Sequence, residues 1–170
     1  MLLWIILIIV LLIILICTHI PKHPTVHREF ICAPCMGCIK DITYDYPNNR
    51  IIIVIQPKIG TQSLYAPIFG DLSITEHAEY MEYKIYNIFG RFIVEIHHAG
   101  HRKSLLIRRL GSHAEPGKIS RGNIMGIGKD CNEMMLLIPM KSELFVGCGE
   151  GVSGNSQVIA VVERIEKIKA

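Results

Sequence analysis

The sequence predicts a mainly β domain behind one N-terminal transmembrane helix, and three observations predict it. Residues 1–20 form an apolar run with no charged side chain. Beyond them the chain breaks into short β-branched or alternating runs separated by Gly, Pro and Asn. Almost no stretch there carries a 3.6-residue apolar period.

The anchor comes first. About 20 residues at 1.5 Å rise span the roughly 30 Å hydrocarbon core of a bilayer. Leu, Ile and Val each favour insertion by about 0.3–0.6 kcal/mol, and no Asp, Glu, Lys or Arg opposes the sum. A cleaved signal peptide needs a basic n-region and a small-residue cleavage site, and the sequence has neither. Lys22 and Arg28 follow the run, with His19, His23 and His27 nearby. The positive-inside tendency therefore puts the following domain on the cytoplasmic side of a single-pass anchor. Pro21 and Pro24 end the helix, and residues 21–30 read as a short juxtamembrane linker before a domain over 31–170.

The domain reads as strands. Residues 39–46, the turn Pro47-Asn48-Asn49 and the run 51–55 predict a hairpin. Residues 81–88 and 92–96, around Phe89-Gly90, predict another. Further strands are expected over 104–110, 133–138 and 157–162, a short helix over 71–80, and a helical period in the charged tail 162–169. A net charge of +3 without a long basic run, and aromatics not interleaved with Lys and Arg, argue against nucleic acid.

The stretch from Gly117 to Gly126 loosely repeats in 149–159: a glycine, an apolar residue, a second glycine, then a new strand. Such glycine turns punctuate barrel-sandwich-like domains, including biotinyl and lipoyl carriers. Lys129 and Lys141 lack the Met-Lys-Met setting of a carrier lysine.

The order of these segments resembles the phosphatidylserine decarboxylase family of the short type. Ala33-Pro34-Cys35-Met36-Gly37-Cys38-Ile39 stands where that family has Ser-Pro-Ala-Asp-Gly-Lys-Val. The segment from Ile68-Phe69 to His77 stands at its Phe-x-Ser-Pro-x-Asp-x-His motif. Ile124-Met125-Gly126, Lys129-Asp130-Cys131-Asn132, Leu136-Leu137-Ile138-Pro139 and Val158-Ile159-Ala160 follow in the family's order. The resemblance implies a barrel-sandwich-like fold and a self-cleaving serine that becomes a pyruvoyl group, the electron sink for decarboxylation. An Asp–His pair would activate that serine.

This chain departs from the pattern at each chemical position. Asn132 aligns with the serine and Cys131 with the glycine before it; Met36 replaces the aspartate; Thr75 or Glu76 aligns with the histidine, with His77 adjacent. Asparagine has no nucleophilic hydroxyl, and methionine cannot orient an imidazole. The expected protein is therefore a catalytically inactive relative, needing no cofactor, with a structural or adaptor role at a membrane. The alternative is an active decarboxylase self-cleaving at Cys131, with Asp41 or Asp130 in place of the missing aspartate.

Two further clusters bear chemistry. Cys32-x-x-Cys35-x-x-Cys38 has thiolate spacing for Zn²⁺ or an iron–sulfur cluster, with Cys131, Cys148 or a histidine as fourth ligand. That reading makes the chain a metal-binding module; the plain reading is small buried residues. In an oxidising compartment five domain cysteines allow two disulfides and one thiol. In His97-His98-Ala99-Gly100-His101 neighbouring residues face opposite sides of a strand, so His97 and His98 do not share a metal. His98 and His101 are the candidates for contact with phospholipid headgroups. Glu76, Glu79 and Glu82 read as a solvated face. The isoleucine bias points to an AT-rich genome and, with the degenerate motif, to a large DNA virus. The expected partners are then a bilayer and other membrane or capsid proteins of a virion or assembly membrane.

Overall fold

The computed structural model describes residues 26–58, 62–87, 89, 91–99, 115–128 and 132–165. The anchor over 1–20 and the strand expected over 104–110 lie outside them. Among the described residues no helix is long and apolar enough to cross a membrane.

Thirteen strands run through the described residues: β1 (Val26–Cys32), β2 (Gly37–Asp45), β3 (Arg50–Pro57), β4 (Gln62–Tyr65), β5 (Gly70–Glu76), β6 (Tyr80–Asn87), β7 (Phe92–Ala99), β8 (Gly117–Ile119), β9 (Ile124–Gly128), β10 (Met134–Pro139), β11 (Ser142–Leu144), β12 (Gly151–Val152) and β13 (Val158–Ile165). The mainly β class holds, and both expected hairpins form, as β2–β3 and β6–β7. The helix expected over 71–80 is instead β5 and a turn. Leu72 and Ile74 alternate with polar neighbours, and β5 pairs with β6 from Asp71↔Tyr86 to Glu76↔Met81. A period of two with a partner on hand outweighs weak helix propensity. The tail is strand through Ile165. β1 takes in residues 26–30, part of the stretch expected as a linker.

Eight strands form one sheet in the order β12-β2-β3-β10-β7-β6-β5-β8; β1-β13-β11 and β4-β9 form two smaller sheets. The order is a palindrome of structure. β2, β3 and β12 on one side of the centre match β5, β6 and β8 on the other, and β10 matches β7. β1–β13 likewise matches β4–β9. Leu136 and Ile96 pair at the centre, with Met135↔His97 and Leu137↔Glu95 to either side. A pseudo-two-fold axis therefore passes through the Leu136–Ile96 pair.

The backbone repeats the relation. Ala33-Pro34-Cys35-Met36-Gly37 and Ala66-Pro67-Ile68-Phe69-Gly70 stand 33 residues apart. Cys32 N–H donates to Pro67 O at 3.0 Å, and Tyr65 N–H donates to Pro34 O at 2.7 Å. Asn155 N–H donates to Ala33 O at 2.9 Å, and Gly122 N–H to Ala66 O at 2.8 Å. Asn155 and Gly122 both take positive φ, 69° and 84°. The two glycine-rich segments noticed in the sequence are thus the equivalent turns that lock onto the two Ala-Pro turns.

One core fills the inside. On β3, Ile51, Ile53 and Ile55 point inward, and they meet Ile85, Val94, Ile96, Leu136 and Ile138 of the same sheet. Ile31, Leu64, Met125, Ile159 and Val162 come from the smaller sheets. Burying each such side chain stabilises the fold by about 1.5–3 kcal/mol.

Candidate functional site

Antiparallel pairing divides the large sheet into two ends. The Gly37 end carries the starts of β2, β6 and β10 and the finishes of β3, β5 and β7. The Arg50 end carries the opposite termini. Met36, His77, His98 and Asn132 all fall at the Gly37 end, while Cys131 and His101 lie outside the described residues.

Met36 occupies the Ala-Pro turn that feeds β2. Its side chain is half exposed, and its carbonyl accepts from Lys58 N–H at 3.1 Å. Gly154 packs so closely on the turn that a Cβ there would stand 2.9 Å from the Cys35 carbonyl carbon and 3.0 Å from Met36 N. Asn132 is exposed two residues ahead of β10. Met134, the first residue of β10, is paired with Ile55 on one side and His98 on the other. The β2 and β10 starts are therefore separated by β3 alone, about 10 Å along the sheet. The thioether and the carboxamide at these positions offer neither a base nor an ionisable nucleophile.

The imidazole that faces the β10 start is His98. It points inward and is buried, and Nε2 has no hydrogen-bond partner among the described residues. Burial pushes its pKa down, against a smaller opposing effect of its own backbone. His98 is thus a neutral imidazole set in an apolar wall.

His77 lies elsewhere. β5 is three strand spacings from β10, about 14 Å along the sheet. The His77 ring stacks on Tyr80 at 4.4 Å, and Tyr80 in turn meets the His97 ring at 4.9 Å. Both imidazoles address one carboxylate. His77 Nε2 is 3.4 Å from Glu82 Oε2, and His97 Nε2 is 3.2 Å from Glu82 Oε1.

Glu82 corrects the expectation of a solvated glutamate face. It is 8% exposed, whereas Glu76 and Glu79 are open. Cross-strand register explains the difference: Glu82 pairs with His97 and Lys84 with Glu95, so four polar side chains share the outward face of β6 and β7. Lys84 Nζ stands 3.1 Å from Glu82 Oε1 and 3.8 Å from Glu95 Oε1; Arg50 Nη1 is 3.9 Å from Glu95 Oε2. Burial acts to raise the Glu82 pKa, but Lys84 and His77 hydrogen bonds and the Lys84 and His97 charges together hold it below its ordinary value. The Lys84 ammonium is held above its own, chiefly by its bond to Glu82.

Glu82, Glu95 and His97 bring ligand atoms within 4.8 Å of one another, and they are the one such group among the described residues. A metal ion is not the natural occupant. The Lys84 ammonium already stands within 3.8 Å of both carboxylates, and the Arg50 guanidinium, which also holds Asp45, approaches Glu95, so both carboxylates are already engaged by cations. The arrangement is an ion network.

The cysteine series is placed but not gathered. Cys32 is buried at the end of β1 and Cys35 in the Ala-Pro turn, and Cys38 directs its thiol to Gly149 O at 3.3 Å. Burial raises the Cys32 thiol pKa against a weaker pull from Arg121. Cys148 is exposed. A sequence reading missed the His77–Tyr80–His97 stack and the Glu82 network; the alternation of Glu82, Lys84, Glu95 and His97 with apolar residues was the available signal.

No protein-family model, curated protein or solved structure matches this chain.

Proposed function

We propose that this chain is a membrane-held, phosphatidylserine decarboxylase-like protein that has lost the chemistry and serves a structural or adaptor role at a bilayer. The observation that carries the reading is the Gly37 end of the sheet. The resemblance assigns the chemistry to the Met36 turn and the approach to β10, and these two fall at the same end of the sheet with β3 between them. Neither Met36 nor Asn132 can perform its part. The paired β units around a pseudo-two-fold axis support the barrel-sandwich-like form of the resemblance. The apolar residues 1–20 support the anchor, and the residues that flank them support a cytoplasmic domain at a cellular or viral membrane.

The deciding experiment is an intact mass of the full-length protein purified in detergent. One species at the mass of the uncleaved chain is expected. Two fragments split before Cys131 or Asn132, the smaller with a blocked N-terminus, would restore the pyruvoyl enzyme and end the structural reading.

A further inference from the structure

The Arg50 end of the sheet is built differently from the Gly37 end. The connections between β2 and β3, between β6 and β7 and between β10 and β11 meet there, at the same end as the turn before β5. Met140 N–H donates to Asn49 O at 3.1 Å and ties two of them together. Between the turns lies an open groove of about 410 Å³ whose lining includes Asn48, Asn49, Arg50, Arg91, Glu95 and Lys141.

The charges in the groove are unequal. Arg50 is engaged, by Asp45 Oδ2 at 2.7 Å and by Glu95 at 3.9 Å. Those bonds fix the guanidinium at the groove wall and use up both nearby carboxylates. Arg91 and Lys141 have no ion pair among the described residues. Two asparagines stand beside them, and Asn48 Nδ2 is already bound to Asp45. Two unpaired cations over a mouth that also holds a fixed guanidinium suit a phosphate oxyanion.

The same end carries large exposed rings. Phe69 and Phe89 pair at 5.7 Å, and Tyr44 and Tyr46 stack at 6.4 Å. All four are exposed, Phe89 at 67% and Tyr46 at 76%. Asn87 Nδ2 donates to Phe69 O at 3.1 Å, which holds the Phe69 turn against the turn that bears Phe89 and Arg91. Rings beside unpaired basic side chains match the headgroup layer of an anionic bilayer, where aromatic faces and cations are both stabilised.

We propose that the Arg50 end docks on the anionic surface of a phospholipid bilayer, with a lipid phosphate in the groove between Arg50, Arg91 and Lys141 and the Phe69–Phe89 pair in the headgroup layer. This rests on the reading that the protein works at a membrane, and it moves the headgroup contact away from His98, which is buried at the other end.

The test uses the full chain in vesicles. Trp4 is the sole tryptophan, so Trp4→Phe with Phe89→Trp places one reporter in the docking ring. Vesicles of phosphatidylcholine, with or without phosphatidylserine, carry bromine on the upper acyl chain. Quenching of the reporter is expected with phosphatidylserine and not without it, and is expected to fade at high salt. Arg91→Asn, which suits the positive φ of 51° at that position, and Lys141→Ala should each weaken the quenching about fivefold. Protein that floats with both vesicle types but shows no quenching in either overturns this proposal and leaves the anchor intact. Protein that floats with neither removes the membrane reading itself and the docking with it. Binding of inorganic phosphate to the detergent-solubilised chain, with no quenching in vesicles, would make the groove a free-phosphate site and overturn docking on lipid.

Discussion

Gly37 and Gly70 meet the same obstacle in the two halves of the fold. A Cβ on Gly37 would collide with the Gln56 carbonyl oxygen and crowd Ile55 Cγ2; a Cβ on Gly70 would collide with the Tyr86 carbonyl oxygen and crowd Ile85 Cγ2. Each glycine lets a hairpin partner close onto the strand that follows an Ala-Pro turn.

Gly37→Ala and Gly70→Ala are therefore expected to destabilise by about 1–3 kcal/mol each, since the obstruction is backbone and cannot swing away. Chemical denaturation of the full chain in detergent measures both. Equal tolerance of either change to that of an exposed-loop substitution would refute the close approach.

Gly122→Ala faces a second pair of constraints, the positive φ of 84° and the Asn155 side chain in the space a Cβ would take. Its expected cost is about 1–2 kcal/mol. Asn155→Gly suits its own φ of 69° and clears that space, so the cost of Gly122→Ala should shrink in its presence. A double-mutant cycle with no coupling would rule the contact out.

Glu82→Gln should cost about 1–3 kcal/mol near neutral pH, because Lys84 and His77 lose a charged hydrogen-bond acceptor and His97 a neighbouring carboxylate. The sign with pH follows from a depressed carboxyl. Its stabilisation is present above the unfolded value and is lost as pH falls through the folded one. Wild type and Glu82→Gln should therefore converge in stability on acidification. Melting curves taken across pH 3–7 (about the carboxylate range and above) test this, and a constant gap would contradict it.

His98 acts in the opposite part of the scale. Its folded pKa lies below the ordinary imidazole value of 6.5, so the unfolded chain binds the proton first. Stability is complete above that value and declines as pH falls below it, until the folded value is reached. His98→Leu keeps the apolar wall and removes the proton site. The variant should gain on wild type below pH 6.5 (about the reference imidazole value), read as a difference in melting temperature. Parallel curves for the two proteins would count against a buried neutral imidazole.

Much of the fold was legible where backbone chemistry leaves a mark. Pro47-Asn48-Asn49 between a β-branched run and its partner specified a hairpin, and Asn49 indeed takes φ 53°. A short helix is expected over 71–80, although Leu72 and Ile74 already alternate; cross-strand pairing with β6 decides the matter. The duplication was legible only at its turns. Ala-Pro-x-x-Gly recurs because the reciprocal hydrogen bonds from Cys32 N–H to Pro67 O and from Tyr65 N–H to Pro34 O constrain both copies, while the strands need only alternate. Sequence order alone singles out Met36 and Asn132. It does not reveal that Glu82 is buried, since the groups around it include His77 from beyond β5 and His97 from β7.

The palindromic sheet has a consequence for synthesis. β3 is made early, yet its neighbour β10 begins at Met134 and the partner of β1 at Val158. The emerging chain thus carries Ile51–Ile55 as an unpaired apolar edge until more than seventy further residues have left the ribosome, as the gap from Ile55 to Met134 requires. Such non-local pairing folds slowly and invites edge-to-edge association. The first half cannot finish early, because β1–β3 are completed by β10, β12 and β13, whereas β4–β9 of the second half follow one another in sequence. A truncation before β10 would leave β1–β3 without those partners, and the open β3 edge would associate with itself or with a chaperone.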